Sequence, residues 1–296
     1  MPRPSPQTDR VVTLIGLLAA SPDRHLTLAE VTRRLGVNKS TCHAILSALT
    51  EAGWLLRDPR RKTYRLGPAL IGIGRQAAAG FPALEFARSA IAQLSLELHL
   101  HCAVLDVKDD VTTVLDQVRD PAARGIGLHP GASYPLQPPF GAVVVAWSEP
   151  EVVEAWLGHT APERRPGHRA ALAAIRRRGF VVELAPPSAA GYRRLLTELD
   201  QRLPGPLADG RRVEEVLSEL AALADEERYL PTDLLDDAVY RLNDVNAPMF
   251  GADGSVVLVI TLSGFTTPQT GRQVRAVGER LVRATTELNR ALRHIA

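Results

Sequence analysis

Several classes of protein are excluded by what this sequence has little of. Only two cysteines, Cys42 and Cys102, occur in 296 residues, and two thiols lying far apart in the chain do not make the disulfide framework of a small secreted domain. No apolar run approaches the roughly 18 residues that a membrane-spanning helix needs. Residues 1–6 carry proline and arginine in place of the apolar stretch of a secretory signal. Cytoplasmic residence without a membrane partner is therefore the expectation. Catalytic signatures are missing too, since there is no G-x-S-x-G, no Walker loop, no H-E-x-x-H and no dinucleotide glycine fingerprint. Gly72 and Gly74 lack the third glycine and the preceding strand of a nucleotide loop. Neither an enzyme nor a cofactor is expected.

What the chain does have is positive charge in one place. Residues 1–66 hold eleven Lys or Arg against five Asp or Glu, a net of +6, while the whole chain carries only +2. Residues 67–296 therefore sum to −4. A basic excess confined to one end of a nearly neutral chain is a local electrostatic footprint of the kind that meets a polyanion.

Local patterning within that basic segment predicts a winged helix-turn-helix. Thr27 and Glu30 have the spacing of a capping box, and Leu28, Val31 and Leu35 share one side of the helix that follows. Gly36 supplies a residue free to adopt positive φ at the turn. Asn38 suits the N-cap of a second helix, on which Cys42, Ile45, Leu46 and Leu49 follow the i, i+3, i+4, i+7 rule and face inward. The opposite face then carries Ser40, Ala44 and Ser47, flanked by Thr41 and His43. These small side chains suit a helix lying in the major groove, with Lys39 at its start. A hairpin follows in which Arg57, Arg60, Arg61, Lys62 and Arg65 are placed to hold phosphates or enter the minor groove. The DNA contacts expected are thus Thr27, Asn38, Lys39, Ser40, Thr41, His43, Ser47, Arg57, Arg60, Arg61, Lys62 and Arg65. The DNA-binding domain is placed at 1–66 and a linker helix at 67–80.

Beyond residue 80 the pattern becomes mixed. A helix over 83–98 precedes strands at 101–107 and 112–118, then a strand near 127–136 and a very apolar helix over 140–148. Helices at 149–157 and 168–178 lead to a strand at 180–184. At the far end, strands at 239–249 and 255–263 flank the turn Gly251-Ala252-Asp253-Gly254, and an amphipathic helix over 268–293 follows. The order predicts an α+β fold, an antiparallel sheet with helices packed around it. Between these parts, residues 191–203 and 211–223 have helical periodicity, separated by Pro204-Gly205-Pro206 and followed by the acidic clusters Asp225-Glu226-Glu227 and Asp236-Asp237. A lid over a ligand, an oligomer contact and a solvated helical hairpin are all open readings of this stretch.

Two sets of polar residues invite a site. His99, His101 and Cys102 suggest a metal, but alternation puts Cys102 on the opposite strand face, and two ligands do not close a zinc site; no metal is expected. Asn243, Asp244 and Asn246 are unusually polar for a stretch leading into VVLVITL, so at least one is expected to point into a cavity.

The runs RVVTLIGLLAA, LTLAEVTRRLGVNKSTCHAILSALTEAGWLLRDPRRKTYRLG, AVLDV, YPLQPPFGAVVVAW, RRRGFVV and NAPMFGADGSVVLVITLSG resemble the IclR-type transcriptional regulators. That resemblance implies a bacterial regulator whose domain at 81–296 is a GAF-like effector domain. It also implies a homodimer or tetramer on an operator, as repressor or activator. An inverted repeat of double-stranded DNA is the expected target. The small-molecule effector is expected on the concave sheet face, under the loop 134–140. Its contacts would be Tyr134, Leu136, Phe140, Gly141 and Ala142, with Asn243, Asp244 and Asn246. A helix start at Gly141 and Ala142 favours a carboxylate-bearing effector. Two departures stand out. Ala44 replaces the arginine usual after His43, and the atypical helical insertion around 185–237 replaces a short acidic loop and a cysteine-bearing strand. A constitutive DNA-binding regulator that has lost its ligand is the alternative.

Overall fold

The computed structural model describes residues 5–19, 25–80, 82–123, 128, 130–186, 188–202, 210–225 and 229–293. The chain folds as two compact units, one formed chiefly by Met1–Pro82 and the other chiefly by Ala83–Thr197 with Glu214–Ala296.

The first unit is three helices, a small sheet and a further helix. Helix α1 (Pro6–Ala19) is followed by β1 (Leu26–Thr27), α2 (Leu28–Leu35), α3 (Lys39–Glu51), β2 (Leu55–Asp58), β3 (Thr63–Leu66) and α4 (Ala69–Ala79). The strands form an antiparallel sheet in the order β1-β3-β2. Leu14, Leu18, Val31, Leu35, Cys42, Ile45, Leu46, Leu49, Leu55 and Tyr64 make its buried core. Burying those apolar faces, rather than helix propensity, holds such short helices together. Leu28, as its spacing predicts, and Val37 pack partly buried against the same core. Gly67 fits where no other residue can. A Cβ there would stand 2.1 Å from the Gly53 carbonyl oxygen, and the close approach lets the Gly67 N–H donate to Trp54 O at 2.6 Å. Pro68 takes the N-cap of α4.

The second unit is built on a six-stranded sheet. Its elements are α5 (Pro82–Leu98), β4 (His101–Lys108), β5 (Val111–Val118), β6 (Ser133–Pro135), α6 (Ala142–Val145), α7 (Pro150–Gly158), α8 (Arg165–Arg178) and β7 (Val181–Leu184). Next come α9 (Ala189–Arg202), α10 (Gly210–Asp225), β8 (Val239–Tyr240), β9 (Leu242–Phe250), β10 (Val256–Ser263), β11 (Gln269–Thr270) and α11 (Gly271–Arg293). The strand order is β6-β5-β4-β10-β9-β7, and every pairing is antiparallel. Cys102, Val104, Val245, Ala247, Ile260 and Leu262 alternate onto one face and are fully buried. Val274 and Leu281 of α11 and Ile91 and Leu94 of α5 are buried with them. Arg280 of α11 grips Glu97 of α5 through Nε and Nη2, at 2.9 and 2.7 Å.

Four sequence expectations shift in detail. The apolar helix expected over 140–148 is the single turn α6. Three successive valines are poor helix formers, Gly141 enters it left-handed at φ +85°, and Pro150 starts the next helix. The strand expected near 127–136 is reduced to Ser133–Pro135, and residues 124–127 and 129 lie outside the described residues. The strand expected at 239–249 is divided, because β8 pairs with β11 in a separate two-stranded sheet. Finally, α11 starts at Gly271, where Thr270 and Gln273 cap it reciprocally: the Thr270 N–H donates to Gln273 Oε1 at 2.8 Å and the Gln273 N–H to Thr270 Oγ1 at 3.3 Å. Pro204-Gly205-Pro206, Glu226 and Glu227 lie outside the described residues.

Candidate nucleic-acid interface and effector face

Helix α3 is positioned by a succession of local caps. At the start of α2 the Thr27 N–H donates to Glu30 Oε2 at 2.8 Å, and the Glu30 N–H donates back to Thr27 Oγ1 at 3.3 Å. Gly36 closes that helix at φ +62°, and its N–H returns to Thr32 O, satisfying a carbonyl left over at the helix end. Asn38 Oδ1 then accepts from the Thr41 N–H at 2.8 Å and from Ser40 Oγ at 2.7 Å, fixing the first turn of α3. With Cys42, Ile45, Leu46 and Leu49 buried, Asn38, Lys39, Ser40, His43, Ala44 and Ser47 are all exposed, and Thr41 is half-buried beside them. Ser47 Oγ and His43 Nδ1 lie 3.3 Å apart. The face that remains outward is narrow, polar and short of long side chains.

The wing presents charge instead of shape. Asp58 pairs across the hairpin with Thr63, and its Oδ1 accepts the N–H groups of Arg60 and Arg61 at 2.8 and 3.0 Å. Those backbone bonds, that from Arg61 first, hold the Asp58 carboxyl below its usual range, so it stays ionised. Lys62 closes the tip with a positive φ of 53°, a conformation that costs a side-chain-bearing residue some energy. Arg57, Arg60, Arg61, Lys62 and Arg65 are exposed. Thr27 is occupied in its own cap, its hydroxyl donating to Glu30 Oε2 at 2.8 Å.

The second candidate site is the other face of the large sheet, and its composition follows from register. Residues directly opposite one another on paired strands point to the same side. One such row runs Glu183, Asp244, Ser263, His101 across β7, β9, β10 and β4. The next runs Val181, Asn246, Thr261, Ala103, Gln117. Glu183, Asn246, Thr261, Ser263 and His101 are all at most 8% exposed, and so many buried polar groups on one sheet face make it a candidate site.

The carboxyl pair dominates this face. Tyr229 Oη donates to Glu183 Oε2 at 2.5 Å, Tyr192 Oη lies 3.3 Å from Tyr229 Oη, and Asn243 Nδ2 donates to Asp244 Oδ2 at 2.7 Å. Burial, and then the charge of Asp244, pushes Glu183 up to about 8. Burial pushes Asp244 up to about 7. Two carboxyls on neighbouring strands resist ionising together, so near neutrality the pair retains a proton. His101 is held below its usual value by burial and by Arg119; its Nδ1 accepts the Asp120 N–H at 3.2 Å. Burial pushes the Cys102 thiol, on the opposite face, well up.

Of the effector contacts expected from sequence, Tyr134, Asp244 and Asn246 share this face, with Thr112 Oγ1 donating to Tyr134 O at 3.3 Å. The Tyr134 and Phe140 rings pack 5.2 Å apart, and the Phe140 carbonyl receives Trp156 Nε1–H at 2.8 Å. Gly141 keeps no open room, because a Cβ there would meet Leu136 Cδ2 at 2.9 Å. Ala142 is fully buried. With α6 only one turn long, the helix-start argument for a carboxylate at Gly141 and Ala142 loses its dipole. Glu183, Tyr192 and Tyr229 were missed, though a lone glutamate inside the apolar strand FVVEL was the available signal.

Residues 7–59 match the IclR helix-turn-helix domain. A glycerol operon regulatory protein of Streptomyces coelicolor is 33% identical over 66 residues, which are 22% of this chain and 26% of that protein. The match therefore spans about a quarter of that relative's length. Over the whole chain the fold is similar to the crystal structure of an IclR transcriptional regulator from Alicyclobacillus acidocaldarius, with a TM-score of 0.63, 19% identity and coverage of 97% of this chain and 98% of that one. It is likewise similar to an IclR homologue from Microbacterium hydrocarbonoxydans solved with 4-hydroxybenzoate, with a TM-score of 0.60, 18% identity and coverage of 97% and 99%. Among the described residues, no helix is long and apolar enough to cross a membrane.

Proposed function

We propose that the chain binds double-stranded operator DNA as a homo-oligomer and answers to a small-molecule effector; residues 7–59 match the IclR helix-turn-helix domain, and the fold of the whole chain is similar to that of an IclR transcriptional regulator. In this reading residues 1–66 read DNA, 67–80 link, and 81–296 form a GAF-like sensing domain that includes the insertion around 185–237. The observation that carries the reading is the outward face of α3, small and polar, standing beside a wing tip of Arg60, Arg61 and Lys62. Lys39, Ser40, Thr41, His43 and Ser47 meet base edges or nearby phosphates, and Arg57, Arg60, Arg61, Lys62 and Arg65 hold the backbone. Asn38 and Thr27 act by fixing the starts of the two helices. A dimer would set its reading helices about 34 Å apart, one turn of an inverted repeat.

The effector is placed against the polar sheet face, with Tyr134, Leu136, Phe140, Asn243, Asp244 and Asn246 among its contacts. The 4-hydroxybenzoate held by the Microbacterium homologue supports a carboxylate-bearing molecule. Its charge belongs near residues 134–140, because a third carboxylate beside Glu183 and Asp244 would be repelled. A coupling of about 1–3 kcal/mol would change operator affinity roughly 5- to 150-fold. A constitutive regulator is the second reading, favoured by Tyr229, which donates to Glu183 where a ligand group would go, and by Tyr192 behind it, hydrogen-bonded to Tyr229.

Selection of bound duplexes from a random pool tests the DNA reading. An inverted repeat is expected, and Ser40→Ala with His43→Ala should lower the ratio of selected to random affinity. A pool without enrichment would contradict it. A thermal-shift screen of carboxylic acids separates the two effector readings, because an occupied site raises stability by RT ln(1 + [L]/Kd).

A further inference from the structure

The polar rows of the large sheet hold more hydrogen-bonding groups than the protein itself uses. Glu183 is already served by Tyr229, so the unused groups begin one strand further in. Asp244 on β9, Ser263 on β10 and His101 on β4 stand side by side in one row, and Asn246 and Thr261 stand two residues along in the next. At about 4.8 Å between strands and about 3.4 Å per residue, the five cover a patch of about 10 Å by 7 Å. Asp244 is half-buried, and the other four are at most 8% exposed.

Each of the five keeps a hydrogen-bonding atom unspent. Asn243 is the extra residue of a bulge opposite β7; it donates to Asp244 Oδ2 at 2.7 Å and leaves Oδ1 without a partner among the described residues. His101 Nδ1 accepts the Asp120 N–H at 3.2 Å, which puts the ring proton on Nε2, and no described residue receives it. The Asn246 amide and the Thr261 and Ser263 hydroxyls bond to no described residue either. Among the described residues, the buried side-chain atoms that are both unpaired and sealed from solvent are Thr63 Oγ1, Arg178 Nη2 and Asn289 Oδ1. None of these belongs to the five, so water can still reach their unpaired atoms. Polar groups that are nine-tenths buried, unpaired and yet reachable fit an occupant that brings the missing partners.

We propose that this patch selects an effector carrying a run of adjacent hydroxyls, a polyol or a sugar acid, which exchanges hydrogen bonds with Asp244, Asn246, Thr261, Ser263 and His101. The inference rests on the reading above that the effector lies on this sheet face, and it adds the chemical class. Serine and threonine hydroxyls and the asparagine amide both donate and accept, as a ligand hydroxyl does. Asp244 Oδ1 offers an acceptor at one end of the row, and His101, kept neutral by burial and by Arg119, offers a donor at the other. The next row along, Pro248, Val259 and Leu105, is buried and apolar, which suits the C–H groups of the same molecule. An aromatic ring laid over the patch would leave the polar atoms unpaired, a mismatch that buried sites penalise heavily.

The class is tested on the full chain by thermal melting and calorimetric titration. Sorbitol, gluconate and galacturonate serve as hydroxylated probes, benzoate and 4-hydroxybenzoate as aromatic ones, and sodium chloride as the ionic-strength control. At least one hydroxylated probe is expected to raise the melting temperature and to bind with one site per chain, more tightly than either aromatic acid. Binding of sorbitol would show that the hydroxyl run suffices, and binding of the acids alone would identify a sugar acid; both support the proposal. Thr261→Val and Ser263→Ala remove hydroxyls that no described protein group uses. Each should therefore melt no lower than wild type without ligand, yet weaken the hydroxylated probe roughly tenfold. Variants that melt lower and bind equally well would overturn the proposal by making the hydroxyls structural. Preference for the aromatic acids would overturn the class while leaving an effector on this face, whereas no binding of any of the five probes would overturn it and favour the constitutive reading.

Discussion

In the N-terminal unit the whole candidate DNA surface is drawn from one short stretch of chain between Thr27 and Arg65, whereas the polar row of the sheet unit joins His101, Glu183, Asp244 and Ser263 from four separate strands. The first surface is set by helical spacing and caps, rules that act over three or four residues. The second is set by strand register, which acts between residues scores of positions apart in sequence. Their electrostatics differ in the same sense. The wing keeps its cations in solvent, while the sheet buries two carboxyls that hold a proton near neutrality.

The contrast is tested first where the N-terminal unit is most vulnerable. Leu46→Ala removes a side chain with no exposure from the small core under α3 and should cost about 2–5 kcal/mol. Heat or denaturant melting is expected to show loss of the N-terminal unit and of DNA binding, with the sheet unit still folded. Simultaneous loss of both would deny the two units their independence.

Burial of Glu183 and Asp244 gives the next effect. Their folded values are raised, so between about pH 4 and pH 8 the folded pair holds protons that the unfolded chain has released. Stability from this source is therefore fully present below the unfolded carboxylate range and is lost as pH rises through the folded values, at up to about 1.4 kcal/mol per pH unit for one proton. Glu183→Gln should flatten the pH dependence of the sheet unit's melting and make the variant more stable than wild type at pH 8. A wild-type melting temperature that rises between pH 5 and pH 8 would argue against a shared proton.

Smaller still is the cap. Thr27→Ala removes the Oγ1 acceptor of the Glu30 N–H and should cost about 1 kcal/mol, read as a lower melting temperature of the N-terminal unit at unchanged pH dependence of the sheet unit.

How much the sequence disclosed follows the same division. Thr27 with Glu30, Gly36, Asn38 and the buried set Cys42, Ile45, Leu46 and Leu49 could be assigned because each signal sits within a turn or two of its consequence. Strands β4, β5, β9 and β10 were legible from alternation and from the turn at Gly251–Gly254, where Gly254 has φ +84°. Their order was not, and without it Glu183 had no visible partner. Tyr192 and Tyr229 were hidden for a further reason. They come from the insertion, whose helical periodicity says which side is apolar but not which strand it meets. The valine run after Gly141 misled because apolar character was read as helix length, when β-branching and the flanking Gly141 and Pro150 limit it to one turn.

The central claim, that exposed arginines and lysine at the wing tip hold DNA phosphates, is tested most directly by fluorescence anisotropy of the full chain on a duplex across a salt series, alongside the triple variant Arg60→Ala, Arg61→Ala, Lys62→Ala. Wild type should lose affinity steeply with salt, and the variant should bind all duplexes more weakly with a slope of log K against log salt shallower by roughly 0.9 for each phosphate contact removed. Equal slopes for the two proteins, or no salt-sensitive binding of wild type to any duplex, would contradict it.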